Sequence, residues 1–212
     1  MAEEKNKILS KKALKSNIRS VFMLAVFVVF WAAFMSIGFG LNTLTVIAFV
    51  IFLIYSVWLC IMAIKTRRAI QSLPDSFSDE ATLRAEKRTG RRFGIIFGVE
   101  TVLIMAAATL FGNGIIGNPN YISPVVALIV GTHLFPLSAL FHGRRNLITG
   151  GIIMDIFAIA AIILIANGLI INIAIGVCCL VAALCIATGA ANLLYVIRKS
   201  LKVAVANNAQ KI

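Results

Sequence analysis

Charge is what this sequence has least of. Asp, Glu, Lys and Arg make up 13% of its 212 residues, where a soluble globular domain carries about 25%. Together with 60% apolar residues and a mean hydropathy of +0.98, this excludes an ordinary soluble fold and points to an integral membrane protein. Cysteine is sparse too. Cys60, Cys178, Cys179 and Cys185 all lie in apolar segments and no C-x-x-C pair occurs, which argues against a disulfide framework or a thiolate metal site and for small buried apolar residues. No P-loop, G-x-S-x-G, H-E-x-x-H or Rossmann fingerprint is found. An enzymatic reading therefore lacks a nucleophile–base pair or catalytic residue to start from, and no cofactor or resident metal is implied.

Acids are scarcer still than bases, 8 against 20, for a formal charge of +12. Such an excess can mark a nucleic-acid binder, but recognition motifs and interleaved aromatics are missing. The bases instead flank apolar runs, where they set membrane orientation and attract anionic headgroups of the inner leaflet.

The bases are also grouped. All twenty Lys and Arg fall between Lys5 and Arg19, Lys65 and Arg92, at Arg144 and Arg145, or between Arg198 and Lys211. A helix needs about 20 apolar residues to cross some 30 Å of hydrocarbon. Six runs between and around the basic groups qualify, near 20–38, 42–64, 94–112, 122–141, 147–166 and 171–196. The expected fold is all-α: a polytopic membrane bundle of six transmembrane helices with both termini in the cytoplasm. That threading puts every basic group on one side, whereas one span more or fewer would scatter them. The first apolar run, Val21 to Ile37, is too long for the core of a signal peptide and lacks a small-x-small cleavage site, so it reads as an uncleaved helix.

The expected organisation is a basic, amphipathic N-terminal segment at 1–19, a transmembrane domain at 20–198 with a cytoplasmic loop at 65–93, and a cytoplasmic tail at 199–212. Within the loop, Ser76 and Asp79 match a capping box that would open a short helix ending near Thr89 and Gly90. In the sixth span, Cys178, Ala182, Cys185 and Gly189 line one side. This small-residue surface suits close helix packing, within the bundle or in a homodimer.

Once the basic groups and their attendant acids are set aside, Glu100, His133 and Asp155 are the ionisable residues left deep in apolar segments. Intramembrane ionisable groups are costly and by default mark functional sites. At 1.5 Å per residue they lie roughly 10, 14 and 12 Å from the cytoplasmic ends of the third, fourth and fifth spans. The expectation is a single polar level in which His133, whose imidazole titrates near neutrality, stands between two acids. Pro136 frees the carbonyl of Thr132 and weakens the helix beside His133. Gly151 stands one turn before Asp155 and would admit another backbone or a small ligand. Thr101, Thr132, Ser138 and Thr149 are further hydrogen-bonding candidates. His133 and His142, nine residues apart, fall on opposite sides of a regular helix and do not form a metal pair.

Two stretches carry a resemblance. Arg91 to Glu100 reads RRFGIIFGVE, and Val130 to Phe141 reads VGTHLFPLSALF, followed by Thr149-Gly150. Together they resemble a group of small, uncharacterised bacterial six-helix membrane proteins over roughly the third to fifth helices. The resemblance implies a bacterial inner-membrane origin and marks Glu100 and His133. It supplies no activity and does not reach Asp155.

Two functional expectations follow. One is an inner-membrane protein binding a small ligand, ion or proton through Glu100, His133, Asp155, Thr132 and Pro136, as a small transporter, channel-like protein or sensor. The other is a non-catalytic scaffold or accessory subunit whose polar residues only hold helices together.

Overall fold

The computed structural model of the chain describes residues 11–73, 80–112, 117–139 and 144–209. They form six α-helices: α1 (Lys11–Phe39), α2 (Thr43–Gln71), α3 (Glu80–Gly112), α4 (Ile122–Ser138), α5 (Arg144–Ala166) and α6 (Ile171–Ala209). Each provides a segment long and apolar enough to cross a membrane, α4 together with the 3-10 turn Pro119–Tyr121 before it, so the chain is a multi-pass membrane protein.

Short chemical signals set the turns. Gly40, at φ +78°, takes the left-handed conformation that ends α1 at little steric cost. Asn42 then opens α2 with a capping box. Its side chain accepts from the Thr45 amide at 3.1 Å, and the Asn42 amide donates to Thr45 Oγ1 at 3.0 Å, which satisfies two amides that the first turn would leave orphaned. Before α4, the Asn118 side chain accepts from the Asn120 amide at 3.0 Å and caps a single 3-10 turn begun by Pro119. At the end of α5 the Gly168 amide donates to the Ile165 carbonyl at 3.0 Å and the Leu169 amide to Leu164 at 2.9 Å. This is a Schellman closure with Gly168 at φ +68°.

α6 is the spine. It packs most extensively on α1, which in turn holds α2, while the α4–α5 hairpin covers another side of α6 and α3 rests on α4. One core is built on Trp31, Met35, Met154 and the small residues Ala158, Cys178, Cys179, Ala182 and Ala183. Small residues let backbones approach closely, which lipid-embedded helices need because apolar burial alone gains them little against lipid. The closest approach is at Gly38 and Gly176, where a Cβ on Gly38 would stand 2.5 Å from the Gly176 amide nitrogen. Several hydroxyls within the spans bond back to their own helix. Ser36 donates to the Ala32 carbonyl at 3.1 Å and Thr66 to Met62 at 2.8 Å.

The helices outrun the expected spans at the basic end of the bundle. α1 begins at Lys11 with no break before its apolar run, so the described part of the N-terminal segment is the start of a transmembrane helix and not a separate surface element. α2 continues to Gln71, and α6 runs 39 residues to Ala209, through most of the expected tail. α3 is continuous from Glu80 through Gly90, where a separate loop helix was expected to stop; the Ser76–Asp79 capping box lies outside the described residues. Nothing in these basic flanks breaks a helix, since Lys, Arg, Glu and Ala are all strong helix formers. Tertiary packing adds the rest. Leu14 and Ile18 of α1, Ile70 of α2, and Ile197, Leu201 and Ala204 of α6 form a second buried cluster beyond the apolar spans. Lys15, Arg19, Arg67, Arg68, Arg198 and Lys202 stand exposed on the same flanks. The Lys11 ammonium donates to the Leu73 carbonyl, which ties the start of α1 to the end of α2. α4 instead ends at Ser138, short of the expected 141. Pro136 supplies no amide to the last turn, and the Ser138 hydroxyl donates back to the Phe135 carbonyl at 2.7 Å.

Candidate functional site

α4 carries the polar residues from which the site is built. Its position is fixed by α5, because glycines bring the two backbones together. A Cβ on Gly151 would lie 2.8 Å from the Gly131 carbonyl oxygen and 3.4 Å from Leu134 Cβ. The approach expected at Gly151 is therefore made by the backbone of α4. Consecutive residues of a helix are rotated by about 100°, so once Gly131 faces α5, His133 is turned well away from it.

That rotation decides which predicted residues meet. His133 points to α3, where its Nδ1 lies 2.7 Å from Glu100 Oε2; the two side chains are only 8% and 10% exposed. The distance is that of a short hydrogen bond, and the burial shelters it from solvent. Thr132 turns to α5, and its Oγ1 stands 3.5 Å from Asp155 Oδ2, a long hydrogen bond. Asp155 Oδ1 is shut away from solvent, with no hydrogen-bond partner among the described residues. It rests on Gly131, where a Cβ would overlap it.

The three ionisable residues therefore do share a level, since the partners of the two acids are neighbours on α4. They do not make one cluster. Among the described residues His133 pairs with Glu100, and Asp155 pairs with Thr132 on a different face of the same helix. Pro136 is exposed in the last turn of α4. Thr101 and Ser138 donate to carbonyls of their own helices, Phe97 at 2.9 Å and Phe135 at 2.7 Å. His142 lies outside the described residues.

Gly131 was not singled out from the sequence. Its signal was a small residue on α4 facing the Gly150–Gly151 pair, legible only once the two helices are known to be paired. On α6, Cys178 and Ala182 are buried in the core, whereas Gly189 faces open space.

α3 is held differently from the other helices. Only 6% of its apolar span is buried, and Ile95, Val99, Val102 and Met105 are 56–67% exposed. Its main contacts among the described residues are with α4 and the 3-10 turn, where Phe111 meets Tyr121 with ring centroids 5.8 Å apart. The Glu100–His133 pair is thus a polar fastening in a sparse helix interface. Chemically the arrangement offers an acid–imidazole pair able to take up or release a proton, beside a carboxylate with one unpartnered oxygen. No family model, curated protein or solved structure matches this chain.

Proposed function

We propose that this chain is a bacterial inner-membrane protein, with both termini in the cytoplasm, that binds a proton or a small ion or ligand at the polar level of α3, α4 and α5. It acts as a small transporter, channel-like protein or sensor. The observation that carries this reading is the Glu100–His133 pair: two ionisable groups, 2.7 Å apart and almost fully enclosed, inside spans where ionisable residues are rare and mark function. The grouping of all twenty basic residues at the ends of the spans supports the topology.

The reading is tested on the full chain in nanodiscs by following the fluorescence of Trp31 and Trp58 as pH is stepped across the range in which imidazole titrates. Wild type is expected to give a pH-dependent change that Glu100→Gln and His133→Ala abolish while the helical circular dichroism signal is retained. If both folded variants respond as wild type does, the reading fails.

One observation favours the second reading, a scaffold or accessory subunit. Gly90, Gly94 and Gly98 recur every fourth residue along α3, and nothing stands within 4 Å of where their Cβ atoms would be. Such a strip suits the close approach of another helix. A stoichiometric partner at α3, with Glu100→Gln and His133→Ala altering only stability, would decide for it.

A further inference from the structure

Asp155 lies near the middle of α5, about 16 Å from Arg144 at 1.5 Å per residue. A carboxylate at that depth requires compensation by hydrogen-bond donors or by a positive charge. Oδ1 is enclosed and has no hydrogen-bond partner among the described residues, and Oδ2 has only the Thr132 hydroxyl, at 3.5 Å. Two backbone carbonyls belong to the same stretch of α4. The Gly131–Gly151 crossing brings the Gly131 carbonyl against α5. The carbonyl of Thr132 has no amide to accept from four residues on, because that residue is Pro136.

We propose that the α4–α5 crossing binds a monovalent alkali cation of sodium size through the Asp155 carboxylate and the hydroxyl and free carbonyl of Thr132. An all-oxygen donor set suits a hard cation. The single carboxylate balances a single positive charge, so a divalent ion would leave net charge buried. Nor do three His, Cys, Asp or Glu side chains converge anywhere among the described residues to hold a transition metal. Gly131 is the residue that lets the carboxylate seat: any side chain there would occupy the position of Oδ1. Thr132 stays exposed, so neighbouring helices leave room beside its hydroxyl. The inference rests on the reading that α3–α5 hold an ion-binding level, and it assigns the ion to the face of α4 away from Glu100.

The test uses the full chain in nanodiscs, with sodium chloride as probe and choline chloride at equal ionic strength as control. Dicyclohexylcarbodiimide, which partitions into membranes and labels protonated carboxyls, reports on Asp155 through peptide mass spectrometry. Sodium is expected to slow labelling of Asp155 and choline not to. Thr132→Val should raise the sodium concentration needed for protection by at least about tenfold, the loss that even an outer-shell ligand partner can cause. Asp155→Asn should abolish sodium-dependent thermal stabilisation; should that variant fail to fold, the wild-type and Thr132→Val labelling still decides. Equal labelling in sodium and choline, as for a carboxyl that holds only a proton, overturns the proposal, and so does a sodium effect that survives Asp155→Asn. These outcomes are independent of the tryptophan response to Glu100→Gln and His133→Ala, so either proposal can fail alone.

Discussion

The backbones of Gly38 and Gly176 cross in contact, near the turn that ends α1 and the start of α6. A Cβ on Gly176 would also fall 2.6 Å from Phe39 Cδ1, so neither glycine has room for a methyl group. Gly176→Ala is expected to destabilise the bundle by about 1–3 kcal/mol, the usual cost of overpacking a tight contact. Gly189→Ala, on the same helix but with nothing within 4 Å, should be close to neutral. Thermal unfolding of the two variants in one detergent compares them directly, and equal melting temperatures would contradict the crossing.

The Glu100–His133 pair should be energetically coupled. Side-chain hydrogen bonds inside membranes contribute about 0.6 kcal/mol on average and up to about 1.7, and a pair at 2.7 Å with both side chains enclosed belongs at the upper end. A double-mutant cycle with Glu100→Gln and His133→Ala, read by unfolding in mixed micelles, is expected to give about 1–2 kcal/mol of coupling. Additive effects would mean that the two residues do not interact.

The capping box of α2 predicts a local effect. Asn42→Ala should destabilise the chain by about 0.5–2 kcal/mol, since it removes the acceptor that holds the Thr45 amide. Thr45→Val should cost less, because the Asn42 acceptor remains. Hydrogen exchange in the first turn of α2 would rise in both variants and stay unchanged in α5.

The packed flank at the basic end gives another test. Ile70 is fully buried and Ile64, less than two turns earlier, is 43% exposed. Ile70→Ala should cost about 2–5 kcal/mol through lost burial and the cavity left behind, whereas Ile64→Ala should change little. If α1, α2 and α6 frayed beyond the apolar spans, the two substitutions would be indistinguishable.

The proposed topology is checked with cysteines in place of Lys199 and Asn167, both exposed. A membrane-impermeant maleimide should reach them from opposite faces of sealed vesicles. Native Cys178 and Cys179, 2% and 0% exposed, should stay unlabelled until the protein unfolds.

Helix count and approximate position were legible because long apolar runs bounded by charge have one economical solution in a bilayer. Helix length was not. Hydropathy falls at Lys65 and Arg198, but a helix does not end where hydropathy does; it ends where a glycine, proline or cap ends it, or where packing stops. Leu14, Ile70 and Leu201 meet across segments far apart in sequence, and that meeting extends three helices past their spans. The level of Glu100, His133 and Asp155 was legible from depth alone. Their division into two pairs was not, because it depends on which face of α4 meets α5, and that is set by Gly131 against Gly151. A one-dimensional reading sees how deep a residue lies and not which way it is turned.

The marginal attachment of α3 bears on how the enclosed pair is reached. One helix, mostly bare of protein neighbours, is all that separates His133 and Glu100 from hydrocarbon on that side. Molecules dissolved in the bilayer can therefore come within one helix diameter of the pair by lateral diffusion, without threading an aqueous passage. Compounds tested against this pair should accordingly include amphiphiles, whose effective concentration is set by how much lipid is present as well as by how much water.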